Sequence, residues 1–264
     1  MGPGIVKKHL VVFPHKETRL NPALRELLTR PLESGLSAHK HSRDLDRSLG
    51  FEIPRIEEEL LRRAKERRPS GNMKTWGEGI HQGSQSWVGL DPQTLQTPYS
   101  ELLRICELLD PGPGSTVVDL GAGYGRMGLV LGARCREVSF IGFELVPERV
   151  REGRRILREH GCTHATLLEQ DLTDPDFEVP LAEVYFLYDY GKVEHIRRTL
   201  AQLSAIADRK NFQLVARGMG ARSLIENEHP WLSDVYPVHR EENFSIYSMS
   251  PPGSLAGAGP RGRG

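Results

Sequence analysis

The sequence predicts an α/β protein with a doubly wound, mostly parallel seven-stranded sheet. Two observations carry this. From residue 99 onward, short apolar runs alternate with helix-like segments, and a strand, a crossover helix and a second strand imply parallel pairing. The last two strand-like segments, Ser233–His239 and Asn243–Met249, follow each other with no helix between them and read as a C-terminal antiparallel pair.

The elements follow in order. Residues 1–95 read as a mostly helical and looped N-terminal extension. Within it, Asn21–Arg30 has a capping Asn, a Pro just inside, and Leu24, Leu27 and Leu28 at helical spacing. Ile56–Arg68 is a second helix, acidic in its first half and basic in its last, as the helix dipole favours. Its basic end reads as a solvated helix end, with only a faint hint of an anionic partner. Gly71–Gln96 is rich in Gly, Gln and Ser yet holds Trp76 and Trp87. Tryptophans in so polar a stretch suggest a segment folded back as a lid over a site.

The domain proper is expected over residues 96–250. Tyr99–Leu109 is a helix and Thr116–Leu120 a strand. Arg126–Arg134 opens a helix, Val138–Glu144 is a strand and Pro147–His160 a helix. Ala165–Glu169 and Ala182–Tyr188 are strands, Val193–Ile206 a helix and Phe212–Arg217 a strand. Residues 251–264 are low in complexity and expected to be disordered.

Composition excludes several classes. Lys and Arg number 35 and Asp and Glu 35, which argues against a strongly basic nucleic-acid surface. No apolar run approaches the roughly 20 residues of a membrane helix, and the N-terminus shows no signal peptide. Three cysteines, an odd and sparse count, fit a reducing cytoplasm. Cys106 and Cys135 sit in helical settings and read as small buried hydrophobes. His160, His164 and His195 are scattered and no HExxH is present, so no metal site is expected.

The sharpest motif is Asp119-Leu120-Gly121-Ala122-Gly123-Tyr124-Gly125-Arg126, between a buried strand and a helix. Its glycines let backbone approach a ligand, and the helix N-terminus presents free N–H groups. The dinucleotide fingerprint is G-x-G-x-x-G. Here the third glycine is replaced by Arg126, and an acid stands two residues before the first glycine. Such an acid suits an ammonium or sulfonium ligand better than a pyrophosphate, which disfavours a nicotinamide oxidoreductase. Glu144 ends the second strand, where a carboxylate accepts two ribose hydroxyls; the alternative is an acid opening the next helix. Asp171 tips the third strand, placed for an adenine amino group with Leu172 against the ring; the alternative is a turn or helix cap. Arg126 either steers a ligand carboxylate or packs against the sheet.

These acids, with the final strand pair, resemble the class I, seven-stranded and Rossmann-like, S-adenosylmethionine-dependent methyltransferases over roughly residues 95–250. The order of Gln96-Thr97-Pro98-Tyr99, the glycine motif, FIGFE, Asp171 and AEVYFLYDYG looks nearest the non-SET histone-lysine methyltransferases. That type has Glu-Thr-Ser-Phe where this chain has Gln96 to Tyr99. It has Asn-Asn-Phe where this chain has Tyr188-Asp189-Tyr190. The resemblance implies S-adenosyl-L-methionine as cofactor, with Asp119, Gly121 and Gly123 at its methionine end and Thr97 approaching from the lid side. Glu144 then serves the ribose, and Asp171 with Leu172 the adenine. After the fourth strand, Asp189 would orient an amine or accept its proton, and Tyr188 or Tyr190 would wall the methyl channel. The expected acceptor is a protein side-chain amine of the lysine type. The alternatives are a small-molecule acceptor and a silent cofactor-binding scaffold.

Overall fold

Strands buried on both faces read as unbroken apolar runs, and such runs form the centre of the sheet. The computed structural model describes residues 22–66, 88–135, 137–234 and 238–249. Its strands are β1 Thr116–Leu120, β2 Ser139–Glu144, β3 Ala165–Glu169, β4 Val184–Tyr188, β5 Gln213–Arg217, β6 Val238–Arg240 and β7 Phe244–Ser248. They form one sheet in the order β3-β2-β1-β4-β5-β7-β6. The first five are parallel, while β7 runs antiparallel to both β5 and β6. The order reverses at β1, which places a topological switch point between β1 and β4, where open α/β sheets take their ligands.

The helices are α1 Pro22–Leu28, α2 Ala38–Leu49, α3 Ile53–Glu66, α4 Tyr99–Leu109, α5 Arg126–Arg134, α6 Pro147–Glu159, α7 Val193–Ala207, α8 Met219–Glu228 and α9 Pro230–Ser233. Two cores flank the sheet. One joins Leu24, Leu45 and Ile53 of the extension to Ile105 of α4, Leu129 of α5 and Val117, Phe186 and Val215 of the strands. The other joins Val118, Tyr185 and Leu214 of the strands to Leu200 of α7 and Ile225 of α8. Alternate strand residues therefore serve opposite cores, as the period of two requires. The extension is part of the first core. None of the described helices is long and apolar enough to cross a membrane.

Three elements differ from the sequence expectation. Helix α2 shows no apolar stripe in the sequence because its buried face is His41, Ser42, Leu45, Asp46 and Leu49, polar at three of five positions. Helix α8 has only Ala221, Leu224 and Ile225 buried, too short a stripe to announce itself. Strand β6 begins at Val238, since Ser233 closes α9, a single turn with Pro230 at its start. Trp76, Trp87, Arg68 and the 251–264 tail lie outside the described residues, as does most of the Gly71–Gln96 segment.

Candidate functional site

At the carboxyl edge of the sheet, β1 runs into the glycine turn. Gly121, Gly123 and Gly125 take φ of 99°, 54° and 77°, a region that L side chains disfavour. At Gly121 space also forbids a side chain: a Cβ there would stand 2.6 Å from the Tyr190 Cβ. The loops after β1 and β4 are thus in direct contact. The turn is tied to β2, with the Gly121 and Ala122 N–H groups donating to the Phe143 carbonyl at 3.0 and 2.8 Å.

A cavity of about 390 Å³ opens beside this turn, lined among others by Glu57, Gln96, Gly121, Glu144, Tyr188 and Asp189. That is within the size range of small-ligand sites. A smaller pocket shares Gln96, Gly121, Gly123 and Tyr188 with it and reaches Thr97 and Asp119. Six of the ten predicted site residues therefore line the main cavity, and Thr97 and Asp119 line the smaller pocket.

The acceptors here are partly unsatisfied. Asp119 is buried, and among the described residues no donor hydrogen-bonds its carboxyl. Burial, and then the charge of Glu144, push its pKa up to about 8. Gln96 Oε1 is also buried and unpartnered. Buried acceptors without donors are costly.

Glu144 is held differently. Its Oε2 accepts from the Gly123 N–H at 3.0 Å and its Oε1 from the Val146 N–H at 2.9 Å. The backbone thus aims the carboxylate across the mouth of the glycine turn. Behind it, Arg149 of α6 stands with Nη1 3.8 Å from Glu144 Oε1. The Arg149 Nε and Nη2 donate to Glu57 of α3 at 2.8 and 3.0 Å. Glu57 Oε1 also accepts from the Tyr124 hydroxyl at 2.8 Å. Sequence reasoning missed both Glu57 and Arg149. They are 92 residues apart, and no local pattern announces the pair.

Arg126 does not reach the ligand side as a free cation. Its Nε donates to Asp46 Oδ1 at 3.1 Å and its Nη2 is ion-paired with Asp46 Oδ2. The same guanidinium donates to the Thr97 carbonyl at 3.2 Å and to Gln93 Oε1 at 2.9 Å. Asp46 further accepts from the Tyr99 hydroxyl and from Gln93 Nε2. Buried at the edge of the smaller pocket, Arg126 packs against the extension rather than the sheet: it pins α2 and the Gln93–Thr97 turn to the start of α5.

After β4, the three predicted acceptor-side residues diverge. Tyr188 lines both cavities. Its hydroxyl donates to the Thr94 carbonyl at 2.9 Å, and the Arg217 guanidinium lies 4.4 Å from its ring centroid. Asp189 lines the main cavity, and its carboxylate accepts from the Gly220 and Ala221 N–H groups at 2.9 and 2.6 Å, capping α8. Tyr190 turns inward: its hydroxyl contacts the His195 carbonyl and Thr199 Oγ1 on α7. Burial pushes its phenol up to about 12, so it stays neutral at physiological pH. Farther along the edge, Asp171 Oδ1 accepts from both the N–H and the hydroxyl of Thr173, and Leu172 is buried in the second core.

No protein-family model and no curated protein sequence matches the chain. Among solved structures, an RNA methyltransferase from Salinibacter ruber in complex with S-adenosyl-L-homocysteine is 21% identical. The match covers 61% of this chain and 98% of that one, with a TM-score of 0.44. A SAM-dependent methyltransferase from Aquifex aeolicus matches at 14% identity over 61% of this chain and 99% of that one, with a TM-score of 0.43. The C-terminal domain of a precorrin-6Y C5,15-methyltransferase from Rhodobacter capsulatus matches at 15% identity over 58% and 90%, with a TM-score of 0.43.

Proposed function

We propose that the protein is an S-adenosyl-L-methionine-dependent methyltransferase acting on an amine, foremost a lysine-type protein side chain. The observation that carries this is the unpartnered Asp119 carboxyl beside the Glu144-braced glycine turn. Asp119 and Gln96 Oε1 would receive the cofactor's ammonium, and the bare backbone at Gly121 and Gly123 would let its chain approach. Glu144 would take the ribose hydroxyls, Asp171 and Leu172 the adenine, and Thr97 would close the methionine end.

When bound, the cofactor supplies a methyl group already activated on sulfonium. The chain must then align the nucleophile and exclude water. Tyr188, fixed at its hydroxyl and on its ring face, walls the channel. Asp189 keeps a second lone pair on each oxygen to orient an incoming ammonium and take its proton. Charge favours such an acceptor. Glu57, Glu144 and Asp189 line the cavity, while the one cationic side chain among its described lining, Arg149, is paired with Glu57. An anionic acceptor would meet like charge. Met219, which lines the cavity, is 86% exposed, a side chain that a larger acceptor would meet first.

The test is calorimetric titration with S-adenosylmethionine, S-adenosylhomocysteine and NADH. The first two should bind the wild type, and Glu144→Ala should weaken both by roughly ten- to a hundredfold. Binding of NADH alone would sink the reading. Asp189→Ala should spare cofactor affinity, suppress labelled-methyl transfer to a protein fraction, and lower stability by about 1 kcal/mol through the lost α8 cap. Full transfer by that variant would remove Asp189 from the acceptor side.

A further inference from the structure

Besides the 90–95 segment, the N-terminal extension reaches the site through Glu57 of α3. Glu57 is buried on α3, and its edge lines the main cavity. It binds Arg149 through two hydrogen bonds, at 2.8 and 3.0 Å, along the Nε–Nη2 edge of the guanidinium. The remaining nitrogen, Nη1, stands 3.8 Å from Glu144 Oε1, an ion pair beyond hydrogen-bond reach. Arg149 therefore lends Glu144 positive potential while leaving its oxygens to the two backbone N–H groups that aim them.

We infer that Glu57 is a positioning residue for the cofactor's ribose: it holds Arg149 away from Glu144, so that the Glu144 lone pairs stay open to ribose hydroxyls. This rests on the cofactor reading above. Among the described residues, Glu144 is the other carboxylate ion-paired with this guanidinium, and for a guanidinium released from Glu57 a bidentate Arg–carboxylate pair is the stronger arrangement. That pair would occupy the atoms the ribose requires. Glu57 also fixes Tyr124, in the glycine turn, so the extension sets both walls of the ribose site.

The experiment compares S-adenosylhomocysteine with its 2′-deoxy analogue by calorimetry. Wild type should prefer the ribose form. Glu57→Gln keeps one acceptor oxygen and the side-chain volume but loses the charge. It should cut affinity for the ribose form by roughly tenfold and leave the deoxy form nearly unchanged, so the preference collapses. Glu57→Ala removes the bidentate partner of a buried guanidinium and risks the fold; Glu57→Gln/Arg149→Met removes that charge and should restore the ribose preference. A general loosening of the site would weaken both ligands alike, and the double variant would bind no better than the single one; either result overturns the inference. Wild type that binds neither ligand overturns the cofactor reading and the inference with it. Wild type that binds, with Glu57→Gln retaining the full ribose preference, overturns the inference alone.

Discussion

Replacing Asp119 by Asn should abolish high-affinity cofactor binding and, in the same variant, make the ligand-free protein more stable near pH 8. The carboxyl lies buried at the edge of the smaller pocket, its pKa raised from 3.8 to about 8 by burial and then by Glu144. The folded protein therefore keeps a proton that the unfolded chain gives up near pH 4. Across that window unfolding releases the proton, so stability is highest below pH 4 and falls as pH rises towards 8. A tenfold difference in proton affinity between the folded and unfolded chains corresponds to about 1.4 kcal/mol, an upper bound for a group beside a cavity. Asn carries no such penalty. The same titration gives binding a pH dependence. A cationic ligand requires the ionised carboxylate, so affinity should rise by about tenfold per pH unit up to pH 8, with about one proton released. Calorimetry in two buffers of different ionisation enthalpy reads that proton. Affinity independent of pH, or Asp119→Asn binding like wild type, would remove Asp119 from the cofactor site.

The second large effect concerns Arg126. Arg126→Met leaves Asp46 buried with only Tyr99 and Gln93 as donors. Breaking one side of a buried ion pair costs about 3–5 kcal/mol, a large share of the roughly 5–15 kcal/mol that holds a domain folded. Asp46→Leu strands the guanidinium and should cost a similar amount. The pair Asp46→Leu/Arg126→Met replaces both charges by apolar groups and should recover most of the loss. Urea midpoints at a constant slope measure this. Losses below about 1 kcal/mol in both single variants would mean that the pair is not the anchor described here. The Gln93–Thr97 turn should loosen as well, since Arg126 holds the Thr97 carbonyl and Gln93.

What is legible in the sequence is whatever is written locally. The runs around Val117, Phe140 and Tyr185 show as strands because parallel strands are buried on both faces. The glycine turn shows because three closely spaced positive-φ positions demand one residue type. Asp119 and Glu144 stand out because each lies at the carboxyl end of a strand beside the switch point. The supporting charges do not. Asp46 meets Arg126 across 80 residues and Glu57 meets Arg149 across 92, and nothing beside either acid marks its partner. Helix α2 is hidden for the same reason: the groups on its buried face are there to make distant hydrogen bonds, not to be apolar. Asp189 shows the converse. Its place after β4 is readable, but its bonds to Gly220 and Ala221 depend on a helix some way down the chain.

The wiring of the extension has a consequence for how the chain is made. Residues 22–66 are synthesised before the elements they pack on: their apolar faces close on Ile105, Leu129 and Ile156, and their buried acids on Arg126 and Arg149. With 92 residues between Glu57 and Arg149, a ribosome needs on the order of ten seconds to deliver the partner. During that interval the extension has no core of its own, and its sticky faces are open to chaperones or to a neighbouring nascent chain. Glu57, which lines the cavity, is thus made well before the arginine that holds it in place.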